Sequence, residues 1–169
     1  EFNWAKSILD ILKASTSKLI SNDAMKLSAF IEENTDDDSS QMALKYYSKA
    51  DFYKFQNKYD SAKYYLDSIF VSYSWHNIID DAIYSMADVC VKKRQYNEAD
   101  SLYSVIIDNY GNSVLVDDAI FEKAKLNDYI LNNKEKAKEL YQKLLIDYSG
   151  SINVYEARRR FRQLRGDVN

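Results

Sequence analysis

Three stretches of this chain repeat one another at intervals of 37 to 38 residues, and that register constrains the fold more than any single residue does. Asp80-Asp81-Ala82-Ile83 with Ala87 returns as Asp117-Asp118-Ala119-Ile120 with Ala124. Tyr73, Tyr110 and Tyr148 share one repeat position, and Ala62, Ala99 and Ala137 share another. A period in the range of about 20 to 50 residues marks a stack of supersecondary units, none of which can bury its own apolar face alone.

Inside each unit the apolar residues keep helical spacing. Ala62, Leu66, Ile69 and Tyr73 fall on one helical face, as do Ala99, Tyr103, Ile106 and Tyr110, and then Ala137, Tyr141, Leu144 and Tyr148. The alanine opening each stripe lets two helices approach, and the larger residues fill the seam. The pattern predicts first (A) helices near 40–56, 77–93 and 114–131, and second (B) helices near 59–73, 96–109 and 134–147. Between them lie polar breakers. Gly111 and Gly150 suit the left-handed position that ends a helix, and Ser113 and Ser151 suit caps for the next helix. Asp80-Asp81 and Asp117-Asp118 fall in first helical turns, where the helix dipole favours carboxylates. One extra residue between Leu131 and Lys134 accounts for the longer second interval.

The flanks are less regular. Trp4, Ile8, Leu12, Leu19 and Ile20 suggest a helix over about 3–20, and Asn22-Asp23 suits the cap of a second with Leu27, Phe30 and Ile31 inward; one kinked helix is the alternative. Asn34 to Ser40 is a polar loop and the best candidate hinge. At the other end Tyr148, Ser151, Val154 and Ala157 match Tyr110, Ser113, Val116 and Ala119, so a last helix starts as an A helix. Arg158, Arg159, Arg160, Arg162 and Arg165 make it a polar cap. The division is therefore a helical lead-in at 1–38, three helix pairs at about 39–75, 76–112 and 113–150, and a capping helix and tail at 151–169.

Composition agrees with helices and short polar turns, since the chain has no proline and three glycines. Fifteen tyrosines suit both helix seams and contact surfaces. A net charge of −3 does not fit a nucleic-acid partner, and no run approaches the roughly 18 apolar residues of a membrane span. Cys90 is the only cysteine and allows no internal disulfide. The start at Glu1 without methionine reads as an excised or processed piece of something longer, with any targeting signal outside it.

Tyr46, Ala50 and Tyr53 precede Ala62 at the spacing that Ile83, Ala87 and Cys90 keep ahead of Ala99. In the third unit Ile120 and Ala124 fit, Asn127 takes the aromatic place, and Ala137 lies one step late. This pattern resembles the tetratricopeptide repeat, with two departures: no proline comes after the B helices, and the period exceeds the usual ~34. The longer period is similar to the repeats of bacterial periplasmic proteins that serve envelope assembly. The ending, Glu156-Ala157-Arg158 through Phe161-Arg162 to Leu164-Arg165-Gly166-Asp167, resembles the C-terminal segment of large Bacteroidetes repeat proteins. The resemblance implies an all-α fold, a right-handed α-solenoid of antiparallel helix pairs, in the periplasm or cell envelope of a bacterium. It also implies an inner groove lined by the A helices. Carried over by position, the groove residues are Tyr47, Asp51, Lys54 and Phe55, then Tyr84, Asp88 and Lys92, then Phe121, Lys125, Asp128 and Tyr129. Aromatic anchors mixed with both charges suit a peptide or a partner helix.

No constellation points to catalysis. His76 lies in an inter-repeat turn beside Trp75 with no second ligand nearby, and Cys90 sits at a helix-A core position without a base. The aspartate pairs invite a two-carboxylate glycosidase reading, but their recurrence at helix starts explains them better. Asp36 to Asp38 lacks the glycine and ligand spacing of an EF-hand, and neither a phosphate-binding glycine loop nor a serine nucleophile motif occurs. The arginines of the last helix read as a solvated cap or as partners in internal ion pairs. The expectation is a non-catalytic scaffold or adaptor of a larger bacterial envelope protein, needing no cofactor or metal. The alternative is a structural module that packs within its own protein, or forms a homo-oligomer through its repeat ends.

Overall fold

The computed structural model describes residues 2–14, 17–35 and 40–167. Among them are nine helices and no strand: α1 (Phe2–Lys13), α2 (Lys18–Glu33), α3 (Ser40–Phe55), α4 (Tyr59–Ser72), α5 (Ile79–Lys92), α6 (Tyr96–Asn109), α7 (Val116–Tyr129), α8 (Lys134–Asp147) and α9 (Val154–Arg165). The A helices α3, α5 and α7 pair with the B helices α4, α6 and α8. The pairs then stack through α4 on α5, α6 on α7 and α8 on α9. The fold is an all-α helical repeat.

One hydrogen-bonding scheme recurs in every unit. Each A helix ends in a left-handed residue, Asn57 at φ 59°, Arg94 at 61° and Asn132 at 55°. Behind the first two, Lys58 N–H donates to Tyr53 O (2.9 Å) and Gln95 N–H to Cys90 O (2.8 Å), the six-to-one bond of a left-handed helix stop. In the third unit the closing bond runs from Asn133 N–H to Asn127 O (2.8 Å), which is where the extra residue is absorbed. Each B helix ends at a tyrosine: Tyr73, Tyr110 and Tyr148 donate their N–H to Ile69, Ile106 and Leu144. Three residues on, His76 Nδ1, Ser113 Oγ and Ser151 Oγ accept the N–H of Ile78, Leu115 and Asn153 at 3.0, 3.1 and 3.1 Å. His76 is thus the first unit's version of the two serines, with Nδ1 as the acceptor. It also packs beside Trp75, ring centroids 5.8 Å apart.

The glycine expectation fails here. Neither Gly111 nor Gly150 has a positive φ; among glycines only Gly166, the C-cap of α9, does, at 88°. The B helices stop through a turn bonded to the terminal tyrosine carbonyl, which needs no left-handed residue. The left-handed positions lie in the inner turns instead, where asparagine tolerates them and Arg94 bears the cost.

The core tracks the repeat. Ala62, Ala99 and Ala137, the facing Ala50, Ala87 and Ala124, and Leu66, Tyr103, Tyr141, Ile69, Ile106 and Leu144 are all buried. Full burial of one such large side chain is worth about 1.5–3 kcal/mol. Burial also pushes the Tyr103 and Tyr141 phenols far above their usual range. Where Asn127 replaces the aromatic, a polar lock forms between α6 and α7. Lys123 Nζ, almost wholly buried, reaches Asp100 O (2.7 Å) and Oδ2 (2.6 Å), and Asn127 Nδ2 donates to Asp100 Oδ1 (2.6 Å).

At the N-terminus the single helix over 3–20 is overturned. The chain breaks after Lys13, whose carbonyl accepts from Ser21 Oγ at 2.7 Å, and Asn22-Asp23 lies inside α2 rather than capping it. The two helices form a hairpin closed by Leu9, Ala24 and Ile31, with Lys6 paired to Glu32. Trp4, Ile8, Leu12, Leu19, Ile20 and Leu27 remain substantially exposed, so the helical stripe is real but its partner face is open. Of the expected hinge loop, residues 36–39 lie outside the described residues.

Candidate functional site

The A helices present one face away from the B helices, and three positions one turn apart define it. Leu44, Asp81 and Asp118 occupy the first, Tyr47, Tyr84 and Phe121 the second, and Asp51, Asp88 and Lys125 the third. Lys54 ties α3 to α5 across this face, donating to Ser85 Oγ (3.0 Å) and lying 3.5 Å from Asp51 and 3.7 Å from Asp88. The Tyr84 ring meets Tyr103 edge-on at 5.8 Å. Burial, with Asp88 and Glu122 adding to it, raises the Tyr84 phenol well above its usual range. Burial also raises the Asp88 carboxyl, against the pull of Lys54.

The upper half of this face is occupied by α2. Phe30 packs against Tyr47 with ring centroids 5.1 Å apart. Asp23, Lys26, Leu27 and Phe30 line one cleft with Tyr47, Asp51 and Asp81, and Lys26, Phe30 and Glu33 line a second that reaches Asp80 and Asp118. The fit is uneven electrically. Burial raises the Asp118 carboxyl, against the pull of the Asn153 hydrogen bond and of Lys26, while burial, Asp80 and Glu33 together push the Asp81 carboxyl further, up to about 7. Burial raises the Tyr47 phenol far above its usual range, with Asp81 and Asp51 adding to it. Asp81, Asp118 and α2 were not among the expected groove residues. The signal for the two aspartates was present, since Asp81, Tyr84 and Asp88 lie at helical spacing on one face.

The lower half of the face is open. Phe55, at 85% exposure, protrudes with Lys92 and Asp51 exposed around it. Two expected groove residues need correction. Phe121 is buried against Tyr141, centroids 6.2 Å apart, and Lys125 lies over its ring at 5.0 Å. Asp128 is not a groove residue at all, because its side chain has no exposure. It accepts from Lys134 Nζ (2.8 Å), Arg160 Nε (2.9 Å) and Arg160 Nη2 (2.7 Å), with the Tyr141 hydroxyl at 3.4 Å. Burial alone would raise this carboxyl; the Lys134 and Arg160 bonds outweigh it and hold it below the usual range. Asp128 keeps the spacing of a groove residue, but Arg160 of α9 covers it. Tyr129 is exposed but carries the Arg160 guanidinium on its ring at 4.7 Å. Arg160 is therefore the inward member of the arginine cluster, while Arg158, Arg159, Arg162 and Arg165 are exposed.

The residues weighed for chemistry stay apart. Cys90 is buried, and burial with the Glu98 carboxylate pushes its thiol up to about 11, away from a reactive thiolate. Among the described residues no group of three histidine, cysteine, aspartate or glutamate side chains is placed to hold a metal ion, and no helix is long and apolar enough to cross a membrane.

Residues 118–151, from the second turn-forming aspartate of α7 through α8, match the tetratricopeptide repeat family. No curated protein matches the chain. With the recurring helix pairs and their shared turn bonding, this match supports a tetratricopeptide-repeat protein, of a kind that generally mediates protein–protein contact.

Proposed function

We propose that this chain is a non-catalytic interaction module, a scaffold or adaptor segment of a larger bacterial envelope protein, that seats a partner helix on the face of α3, α5 and α7. The observation that carries the reading is α2 itself: an amphipathic helix lies on that face, anchored by Phe30 on Tyr47, with Lys26 toward Asp118. A face that accepts a helix from its own chain has the width and chemistry for one from another. The open half, with Phe55, Asp88 and Lys92, supplies further anchors and charge register. The envelope placement rests on the resemblance of period and ending.

The test compares the wild-type chain with a Phe55→Ala/Asp88→Asn/Lys92→Glu variant, first matched for helicity. Both are crosslinked in envelope extract, and the segment captured by the wild type is then made and titrated against each. Binding weaker by about tenfold, or 1.4 kcal/mol, in the variant supports the reading. Equal affinity for both sinks it. Occupation of the face by α2 also favours a second reading, a structural module whose groove is filled only from within; that reading predicts no groove-dependent capture.

A further inference from the structure

Every A helix but the first receives the preceding B helix on one flank. On α5 that flank is Ala82, Met86 and Val89, and on α7 it is Ala119, Lys123 and Leu126, all buried. The equivalent residues of α3 are Lys45, Lys49 and Phe52, one turn from Met42. Phe52 is 58% exposed and Met42 is 42% exposed. The flank is open although α2 immediately precedes it. Six residues separate Glu33 from Ser40, as six separate Ser72 from Ile79 and Asn109 from Val116, so the connection has the length that elsewhere joins stacked helices. Aligned on those connections, Leu27 and Phe30 take the places of Leu66 and Ile69, and Ala24 that of Lys63, whose Nζ reaches Met86 Sδ at 3.9 Å.

We propose that the uncovered flank of α3 is a second seat for the chain's own α1–α2 hairpin, so that a partner gains the groove when the hairpin moves from the groove into the stack. Charge favours the second seat in one respect: in the groove Glu33 faces Asp80 and Asp81, whereas the α3 flank offers Lys45 and Lys49. Apolar contact favours it too, because Leu27 is half exposed in the groove and Met42 and Phe52 wait uncovered. Asp23 opposes it. The alignment sets Asp23 where Ala62, Ala99 and Ala137 are wholly buried, and burying a carboxylate there is costly. The groove position, where Asp23 stays exposed, avoids that cost. With contributions of both signs, a ligand that binds only the emptied groove would shift the population toward the stacked seat.

The inference rests on the groove reading for its consequence, but its test needs no partner. Hydroxyl-radical footprinting of the full chain, read by mass spectrometry, reports Met42, Tyr47 and Phe52 separately. In the wild type Met42 and Phe52 should oxidise readily and Tyr47 slowly. In an Asp23→Ala variant, which removes the carboxylate that the stacked seat would bury and keeps Phe30 for both seats, Met42 and Phe52 should become several-fold less reactive and Tyr47 more so. Asp23→Asn, which removes the charge but keeps a polar group at that position, should move all three in the same direction by less. Tyr47 rising while Met42 and Phe52 stay reactive would show a hairpin that leaves without stacking, and would overturn the second seat. An unchanged pattern in Asp23→Ala would overturn it equally, as would protection that grows with protein concentration, which would make a second copy the occupant. Failure of the groove reading is a separate result, seen as equal partner affinity with any footprint.

Discussion

Replacing Arg160 with methionine should destabilise the chain by about 2–3 kcal/mol at neutral pH, because it strands half of a buried carboxylate. Asp128 has no side-chain exposure, and both guanidinium bonds, at 2.9 and 2.7 Å, fall on Oδ2. Methionine keeps the packing of the aliphatic stem and removes those bonds. Oδ2 then retains only the Tyr141 hydroxyl at 3.4 Å, too long for a strong bond. Lys134 still holds Oδ1 at 2.8 Å, so the loss stays below the 3–5 kcal/mol typical of a fully broken buried pair. The Tyr129 ring also loses its cation, worth about 0.5–1 kcal/mol at an exposed site. In urea, with a slope of about 1–3 kcal/mol per molar, the midpoint should fall by roughly 1–2 M. The pH dependence supplies the sign. The Asp128 carboxyl sits below its unfolded value, so the stability it contributes is present above that value and is lost as pH falls through the lower folded one. The gap between wild type and Arg160→Met should therefore narrow in acid, and a cycle with Asp128→Asn should show coupling between the two sites. A loss under about 0.5 kcal/mol at pH 7, the level of an ordinary surface substitution, would refute the argument that this pair is what seats α9.

Local geometry sets three further outcomes. His76→Ser keeps an acceptor for the Ile78 N–H and His76→Ala does not, so thermal unfolding should place the alanine variant about 1 kcal/mol below the serine one; equal stability would mean the acceptor is idle. Arg94→Gly relieves a left-handed residue at φ 61° and should stabilise by about 0.5–1 kcal/mol, whereas Gly111→Ala, with no positive φ and nothing within 4 Å of its new Cβ, should be neutral or slightly stabilising. Asp81, raised to about 7 by burial, Asp80 and Glu33, contributes stability that is complete below its unfolded value and lost as pH rises through 7, so α2 amides should exchange faster at pH 8 than at pH 5. Glu33→Gln should shrink that difference, and an α2 exchange rate independent of pH after correction for intrinsic rates would contradict it.

The repeat was legible because its residues answer to local rules. Ala62, Ala99 and Ala137, with the large residues one and two turns on, fix helix pairs by spacing alone, and the structure buries each of them. Cys90 and the aspartate pairs were readable for the same reason. What escaped depends on contacts distant in sequence. Gly111 and Gly150 look like helix stops, but the left-handed stop falls on Asn57, Arg94 and Asn132; asparagine suits that conformation, whereas Arg94 gives no local sign of it. Asp128 carries the spacing of a groove residue, and only the arrival of Arg160, 32 residues later, makes it core. The exposure of Trp4, Leu19 and Leu27 could not be read either, since an apolar stripe states that a face wants a partner and not where the chain finds one.

The lock between α6 and α7 has a consequence for how such an array could change over time. Lys123 is buried because Asp100 meets it, and the residue equivalent to Asp100 on α4 is Lys63. Moving the third unit to sit directly after the first would drive one ammonium group against another in a dry seam, while Met86, which meets Lys63 now, carries no charge. The units share a backbone plan and yet are not interchangeable tiles. Their order is written into side chains that touch no ligand, so a duplication or deletion of one whole unit is tolerated only if it preserves the neighbour on the far side of that seam.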